Sequence, residues 1–206
     1  MRTRGSTLSL LRLHCRVGLY AVVLTTAFNF FSHGTQDRYP TFLQVQHHLS
    51  PPAVGTIAVI YNLGAIVGGT LLERIGRRRM IVIAALLSLP VLPLWAFGDS
   101  AIVLAIGAFL MQMMVQGAWG VVPAHLNELS PDEARGTFPG FVYQLGNLLA
   151  SANATIQAGV AAHYGGNYGL ALALVAGLVA LAVAGRTAAG EESKGVAFGR
   201  HEEPAE

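Results

Sequence analysis

Charge is scarce in this chain of 206 residues: 13 Lys and Arg with 11 Asp and Glu amount to 12%, beside 53% hydrophobic residues. A soluble domain carries about 25% charged residues, so the composition excludes an ordinary water-facing surface and points to the lipid bilayer. Cysteine is nearly absent. Cys15 stands alone, which excludes an intrachain disulfide and a thiolate metal cluster. The basic residues lie beside apolar stretches and are not interleaved with aromatics on one face, so nucleic acid is not an expected partner. Enzyme motifs are missing too: there is no Gly-x-Ser-x-Gly, no pair of membrane aspartates and no His-Glu-x-x-His. The sequence therefore predicts neither an enzyme nor a resident cofactor or metal.

What is there is a series of long apolar runs. A hydrocarbon core of about 30 Å takes roughly 20 helical residues. Charge-poor runs of that length lie at 17–37, 52–72, 80–98, 101–123, 137–162 and 168–185. The breaks "HHLSPP", "ERIGRRR", "GDS", "NELSPDEARG" and "HYGGNYG" carry the Pro, Gly, Asn and charged residues of turns. Six spans put both termini on one side. On that side fall Arg2, Arg4, Arg12, Arg16, Arg74, Arg77, Arg78, Arg79, Arg135, Arg186, Lys194 and Arg200, while Arg38 alone falls opposite. The positive-inside rule makes the terminal side cytoplasmic, in a plasma (inner) membrane. The expected organisation is a basic cytoplasmic N-terminus over 1–15, a six-helix transmembrane domain over 16–186 and a disordered polar tail over 187–206. Arg12 and Arg16 interrupt the first apolar stretch and no small-residue cleavage site precedes the polar residues beyond it, so a cleaved leader is not expected.

Between the second and third spans, "GGTLLERIGRRR" runs from Gly68 to Arg79. Gly69 would permit close helix approach, Glu73 could pair with a basic neighbour such as Arg74, and Gly76 would allow a tight turn. Arg77 and Arg78 would anchor the loop at the anionic membrane surface. For the arginines alone, a generic positive-inside loop is the preferred reading. The whole spacing resembles the signature loop that follows the second span of each six-helix half in the major facilitator superfamily, with Glu73 where Asp is commoner. The resemblance implies a cytoplasmic gate and not a substrate site.

The stretch "FNFFSHGTQDRYPTFLQ", residues 28–44, turns abruptly polar at the end of the first span. At about 100° per residue, Asn29, Ser32, His33, Gln36 and Asp37 share an arc of about 140°, and Thr25 and Thr26 continue it towards the cytoplasm. Insertion of an Asp at a helix centre costs about 2.5–3.5 kcal/mol, so such a stripe needs protein or water beside it. Histidine is the side chain that ordinarily changes charge near neutrality, and Asp37 is the i,i+4 neighbour of His33. Geometry leaves two readings open: a proton-carrying pair, or a hydrogen bond that packs the helix end. "NFFSHGTQDRYPT" resembles the N-x-x-[S/T]-H-x-[S/T]-Q-D-x-x-x-T signature in the seventh helix of lactate/pyruvate:proton symporters, in the carboxylate and sialate:proton branch of the same superfamily. Asn29, Ser32, His33, Thr35, Gln36, Asp37 and Thr41 all match. The resemblance implies that these residues line a translocation path and that His33 and Asp37 matter for transport. Arg38 falls at a variable position and takes no role from it.

Further along, Gln144, Asn147, Ser151 and Thr155 lie within about 80° on one helical face, with Gly140. In a membrane helix such a stripe more often serves interhelical packing than a binding site. "PAHLNELSPDEARG" is similar to the loop between helices ten and eleven of the same carboxylate transporters. Glu128 and Arg135 could pair as a cytoplasmic gate across Ser130-Pro131, Asp132 and Glu133 could cap the next helix, and His125 reads as structural. Tyr61, Asn62, Gln112 and Gln116 are weaker cavity candidates, and the Gly64-to-Gly68 spacing marks close helix contact.

The expected fold class is an all-α membrane protein, whose six helices correspond by resemblance to the C-terminal half of a major-facilitator bundle. The expected function is proton-coupled symport of a small monocarboxylate such as lactate or pyruvate by alternating access. The partners would be the carboxylate, the proton, the bilayer and a missing N-terminal six-helix half or second chain. The alternatives are a non-transporting fragment or membrane scaffold, or a carrier of a larger organic acid such as sialic acid.

Overall fold

The computed structural model describes residues 15–71, 77–120, 122–131, 134 and 136–188, and among them regular structure is helical throughout. In chain order the helices are α1 (Cys15–Gln36), α2 (Tyr39–Val45), α3 (Pro51–Leu71), α4 (Arg77–Phe97), α5 (Ala101–Trp119), α6 (Val122–Leu129), α7 (Phe138–Ala150), α8 (Asn153–His163) and α9 (Tyr168–Ala188).

Local chemistry sets many of these limits. Pro51 and Pro52 open α3, where a missing N–H costs nothing. Ser100 caps α5 by accepting from Val103 N at 3.3 Å. Gly165 and Gly166 take φ of +67° and +87° to turn the chain out of α8. Asn167 Oδ1 then accepts from Leu170 N at 2.9 Å and starts α9.

Helices occupy all six stretches read as spans, with two differences. Among the described residues four are long and apolar enough to cross a membrane: Pro51–Thr70, Arg79–Phe97, Ala101–Leu129 and Tyr168–Gly185. α1 is long enough, but its polar stripe dilutes the apolar run. The fifth stretch is divided: the helical ladder runs to Ser151 N on Asn147 O and begins again with Ile156 N on Ala152 O. Ser151 Oγ donates to Leu148 O at 2.7 Å, so a hydroxyl serves a carbonyl at the end of α7.

Packing pairs α3 with α5, α5 with α4, α4 with α9, and α1 with α7 and α9. Glycine sets the α3–α5 seam. A Cβ on Gly64 would collide with Phe109 O, and one on Gly68 with Met113 O. The close approach expected of Gly69 falls instead on Gly68, because a Cβ at Gly69 would meet nothing within 4 Å. At the end of α1, Tyr39 stacks on Trp95 at 5.2 Å and offers its hydroxyl to Trp95 O at 3.2 Å and Leu104 O at 3.0 Å. Leu19, Val59, Ile66, Ile102 and Leu178 point outward, as on a surface facing lipid.

Candidate functional site

The polar stripe of α1 is real, and its neighbours divide it among three seams. On the α5 side, Gln36 Nε2 donates to Gln112 Oε1 at 2.9 Å. Gln112 Nε2 in turn donates to Thr35 Oγ1 at 3.2 Å and reaches Thr35 O at 3.5 Å. One turn nearer the N-terminal end of α1, Gln116 Nε2 donates to Ser32 Oγ at 3.3 Å. Gln112 is only 2% exposed, so it clamps α1 to α5 and does not line an open path.

On the α7 side stands His33. Its Nδ1 lies 3.2 Å from Asp37 Oδ1, and its Nε2 lies 3.3 Å from Asn147 Oδ1. The His33 and Asp37 side chains are 43% and 39% exposed, so this seam is open on one side. A carboxylate and an amide oxygen both accept, whereas neutral imidazole has one N–H. The ring satisfies both partners as an imidazolium. Alternatively, it keeps its proton towards Asp37 while Asn147 turns its NH₂ to the bare nitrogen. Rotation of one amide thus lets the same three side chains hold either protonation state.

The third seam, with α8, was not foreseen in the sequence. Gln157 Nε2 donates to Gly34 O at 2.7 Å, supplying a partner at the C-terminal turn of α1. Arg38 Nε donates to Ala154 O at 3.3 Å. Asn153 and Gln157 are fully buried, and neither Asn153 amide atom nor Gln157 Oε1 has a hydrogen-bond partner among the described residues. Asn153, Gln157 and Arg38 carried little sequence signal. The amides look like ordinary polar residues in an apolar run, although their i,i+4 spacing on the face opposite Ser151 and Thr155 was legible.

Other expected site residues are scattered. Asn29 is buried at the base of the stripe, its Nδ2 unpartnered among the described residues. Thr41 belongs to α2, because α1 ends at Gln36, so it does not share the α1 stripe. Gln144, Ser151 and Thr155 are exposed, as is Gly140, while Asn147 alone of that face reaches α1. Apart from Asn147, that face is uncovered among the described residues. Asn62 is exposed and bonds its own helix at Ala58 O, 2.7 Å away. Tyr61 meets Tyr39 edge-on at 6.5 Å.

The gate residues Glu73, Arg74, Gly76 and Arg135 lie outside the described residues, as do Asp132 and Glu133. Arg77 and Arg78 open α4, but their side chains lie outside the description. Glu128 is seen beside His125, at 4.0 Å on α6. No group of three or more His, Cys, Asp or Glu that could hold a metal occurs among the described residues.

Outside the spans, burial holds the His47 imidazole below its ordinary value; Asp99 pulls it up, and His48 pushes it further down. His47 packs edge-on against Phe42 at 4.7 Å, and the next residue, His48, takes a left-handed φ of +53°.

Comparison with known proteins agrees with this architecture. A 150-residue stretch, 70% of the chain, is 39% identical to 24% of a carboxylic acid transporter protein homolog of Saccharomyces cerevisiae. The glucose transporter GlcP of Staphylococcus epidermidis is 29% identical over 134 residues, 63% of this chain and 28% of that protein. The D-xylose transporter of Levilactobacillus brevis is 30% identical over 100 residues, 47% of this chain and 22% of that protein. The chain thus matches about a quarter of the length of these relatives. No solved structure matches it significantly. Residues 21–203 match the sequence model of the major facilitator superfamily, and with its all-helical fold the chain belongs to that superfamily of membrane transporters.

Proposed function

We propose that the chain is one half of a proton-coupled carrier for a small monocarboxylate such as lactate or pyruvate, in the plasma membrane with its termini cytoplasmic. It would work by alternating access against a second six-helix half. The observation that carries this reading is the half-open His33 seam. One imidazole sits between Asp37 and Asn147, and no rearrangement of helices is needed to accept or release its proton. Exposed Gln144, Ser151 and Thr155 extend the same polar face, in a molecule whose other exposed helix faces are largely apolar. A polar band beside lipid is costly, so this band fits a cavity shared with another half.

The fungal relative named as a carboxylic acid transporter homolog favours an organic acid, while the glucose and xylose carriers favour a neutral sugar. The ionisable His33–Asp37 pair supports proton coupling, and the higher identity of the fungal relative, 39% against 29% and 30%, favours the acid. In this scheme substrate and proton enter together, His33 carries the proton, and Asp37 and Asn147 hold the ring in both states. Glu128, Arg135 and the loop from Gly69 to Arg78 would close the cytoplasmic side.

Uptake of labelled lactate in cells making the carrier from this chain and its other half tests the reading. His33→Ala is expected to abolish proton-driven accumulation and to leave lactate exchange across the membrane. Unchanged accumulation by that variant would remove His33 from the proton path.

A further inference from the structure

α1 ends where His33 and Asp37 stand, and the end of a helix is short of hydrogen-bond partners. Its last carbonyls lack the N–H that a further turn would bring. His33 O is still served by Asp37 N at 3.0 Å. Gly34 O and Thr35 O come next, and two amide side chains meet them from neighbouring helices. Gln157 Nε2, from α8, donates to Gly34 O at 2.7 Å, and Gln112 Nε2, from α5, reaches Thr35 O at 3.5 Å. Gln157 is fully buried and its Oε1 has no partner among the described residues, so this amide serves the end of α1 alone.

That turn carries the His33–Asp37 contact. Asp37 lies one residue beyond α1, where the chain turns into α2. Its side chain is 39% exposed, so packing alone does not hold the carboxylate 3.2 Å from His33 Nδ1. The junction is tied to α8 on both sides of Asp37: Gly34 O accepts from Gln157, and Arg38 Nε donates to Ala154 O at 3.3 Å. α7 holds the far side of the ring, with Asn147 Oδ1 at 3.3 Å from His33 Nε2. The two pieces of the divided fifth span thus grip one site at different points, α7 the imidazole and α8 the backbone that carries Asp37.

We infer that Gln157 is a positioning residue for proton coupling: its bond to Gly34 O holds the turn that sets Asp37 opposite His33 Nδ1. The inference deepens the proton-carrier reading above and rests on it for its function. With the bond made, the turn from Gly34 to Asp37 keeps one orientation, and the neutral ring keeps its N–H on Nδ1, towards the carboxylate. Without it, Gly34 O is a buried acceptor that has lost its donor. Relieving that cost means turning the carbonyl out, which carries Asp37 away from the ring. Among the described residues no bond joins Gln157 to the imidazole or the carboxylate, so its effect passes through the backbone. The α1 side of the seam offers a second lever. A Cβ on Gly34 would meet Asn153 Oδ1 and Val175 Cγ1 at 3.6 Å and Gln157 Nε2 at 3.8 Å. Alanine fits that space, whereas a longer side chain would push α8 from α1.

The test reads the His33 ring itself. In the chain in lipid nanodiscs with isotope-labelled histidine, at a pH where the ring is neutral, the imidazole nitrogen resonances report which nitrogen carries the proton. Their loss in His33→Gln identifies them. The parent is expected to carry the proton on Nδ1. Gln157→Leu, of similar volume but without a donor, should lower the ratio of the Nδ1–H to the Nε2–H form roughly threefold or more. Gly34→Leu should do the same from the other side of the seam, and Gly34→Ala should not. Gly68→Ala, which presses on Met113 O in the α3–α5 seam, should lower thermal stability and leave the ring signals as in the parent. Accumulation of labelled lactate by the carrier is measured in the same variants. An unchanged ring in folded Gln157→Leu, or in Gly34→Leu where the first does not fold, overturns the inference, and so does an equal change in Gly68→Ala. A changed ring with accumulation lost supports both the inference and the proton-carrier reading. A changed ring with accumulation unimpaired leaves Gln157 positioning the ring and overturns the proton-carrier reading.

Discussion

Replacing Gln112 by Leu separates a clamp from a substrate ligand. The residue is 2% exposed and holds α5 to α1 through Gln36 Nε2 at 2.9 Å and Thr35 Oγ1 at 3.2 Å. Leucine has nearly the same volume, so the loss is polar. Side-chain hydrogen bonds within a membrane bundle are worth about 0.6 kcal/mol each on average, which makes about 1.2 kcal/mol for the two short ones. Thr35 Oγ1 still donates to Phe31 O at 3.0 Å, but Gln36 Nε2 is left with only a 3.5 Å contact to Ser32 Oγ. A poorly satisfied donor adds to the cost, up to about 1–3 kcal/mol when it is fully buried. Gln36 is half-buried, so the expected total is about 1–3 kcal/mol. Reversible unfolding in bicelles measures it. A double-mutant cycle with Gln36→Leu should return a coupling of about 0.5–1 kcal/mol, the second replacement costing less once the first is made. Transport per folded molecule should stay near that of the parent. Unchanged stability with uptake lost would refute the clamp and place Gln112 in the path.

The glycine seam and the histidine turn yield two more tests. Gly68→Val drives a side chain into Met113 O and should cost about 1–3 kcal/mol or part α3 from α5, whereas Gly69→Val should stay within about 0.5 kcal/mol. Equal effects in thermal unfolding would contradict the close α3–α5 contact. His47 has a folded-state value depressed by burial, so its contribution to stability is present above the ordinary histidine value and is lost as pH falls. The unfolding midpoint should therefore decline between about pH 7 and pH 5, and His47→Gln should flatten that slope. A slope that His47→Gln leaves unchanged would assign it to another group.

Element positions were legible because they depend on local chemistry. Apolar length predicted the helices, and the Pro51-Pro52, Ser100 and Gly165-Gly166 punctuation marked their ends within a few residues. The stripe of α1 was also legible, since five polar side chains on one arc follow from helical geometry alone. The division of the fifth span was not legible. "GNLLASANATIQ" has no Pro at the break, and its Ser and Asn are tolerated within membrane helices.

Interhelical pairing escaped for a related reason. Periodicity assigns a residue to a face but does not say which helix covers that face, nor at what height. Gln112 and Gln157 both reach the last turn of α1, one from α5 and one from α8; Gln112 bonds its backbone and side chains, and Gln157 bonds its backbone at Gly34 O. Only once α8 is known to start beside Gly34 do Arg38 and Asn153 become neighbours, though 115 positions separate them in the chain. A sequence motif weights His33 and Asp37, which stand one helical turn apart at the end of α1. A contact between Arg38 and α8 leaves no such spacing, so by sequence Arg38 looked like a stray cation opposite the other basic residues. Its bond to Ala154 O gives that exception to the charge pattern a structural cause.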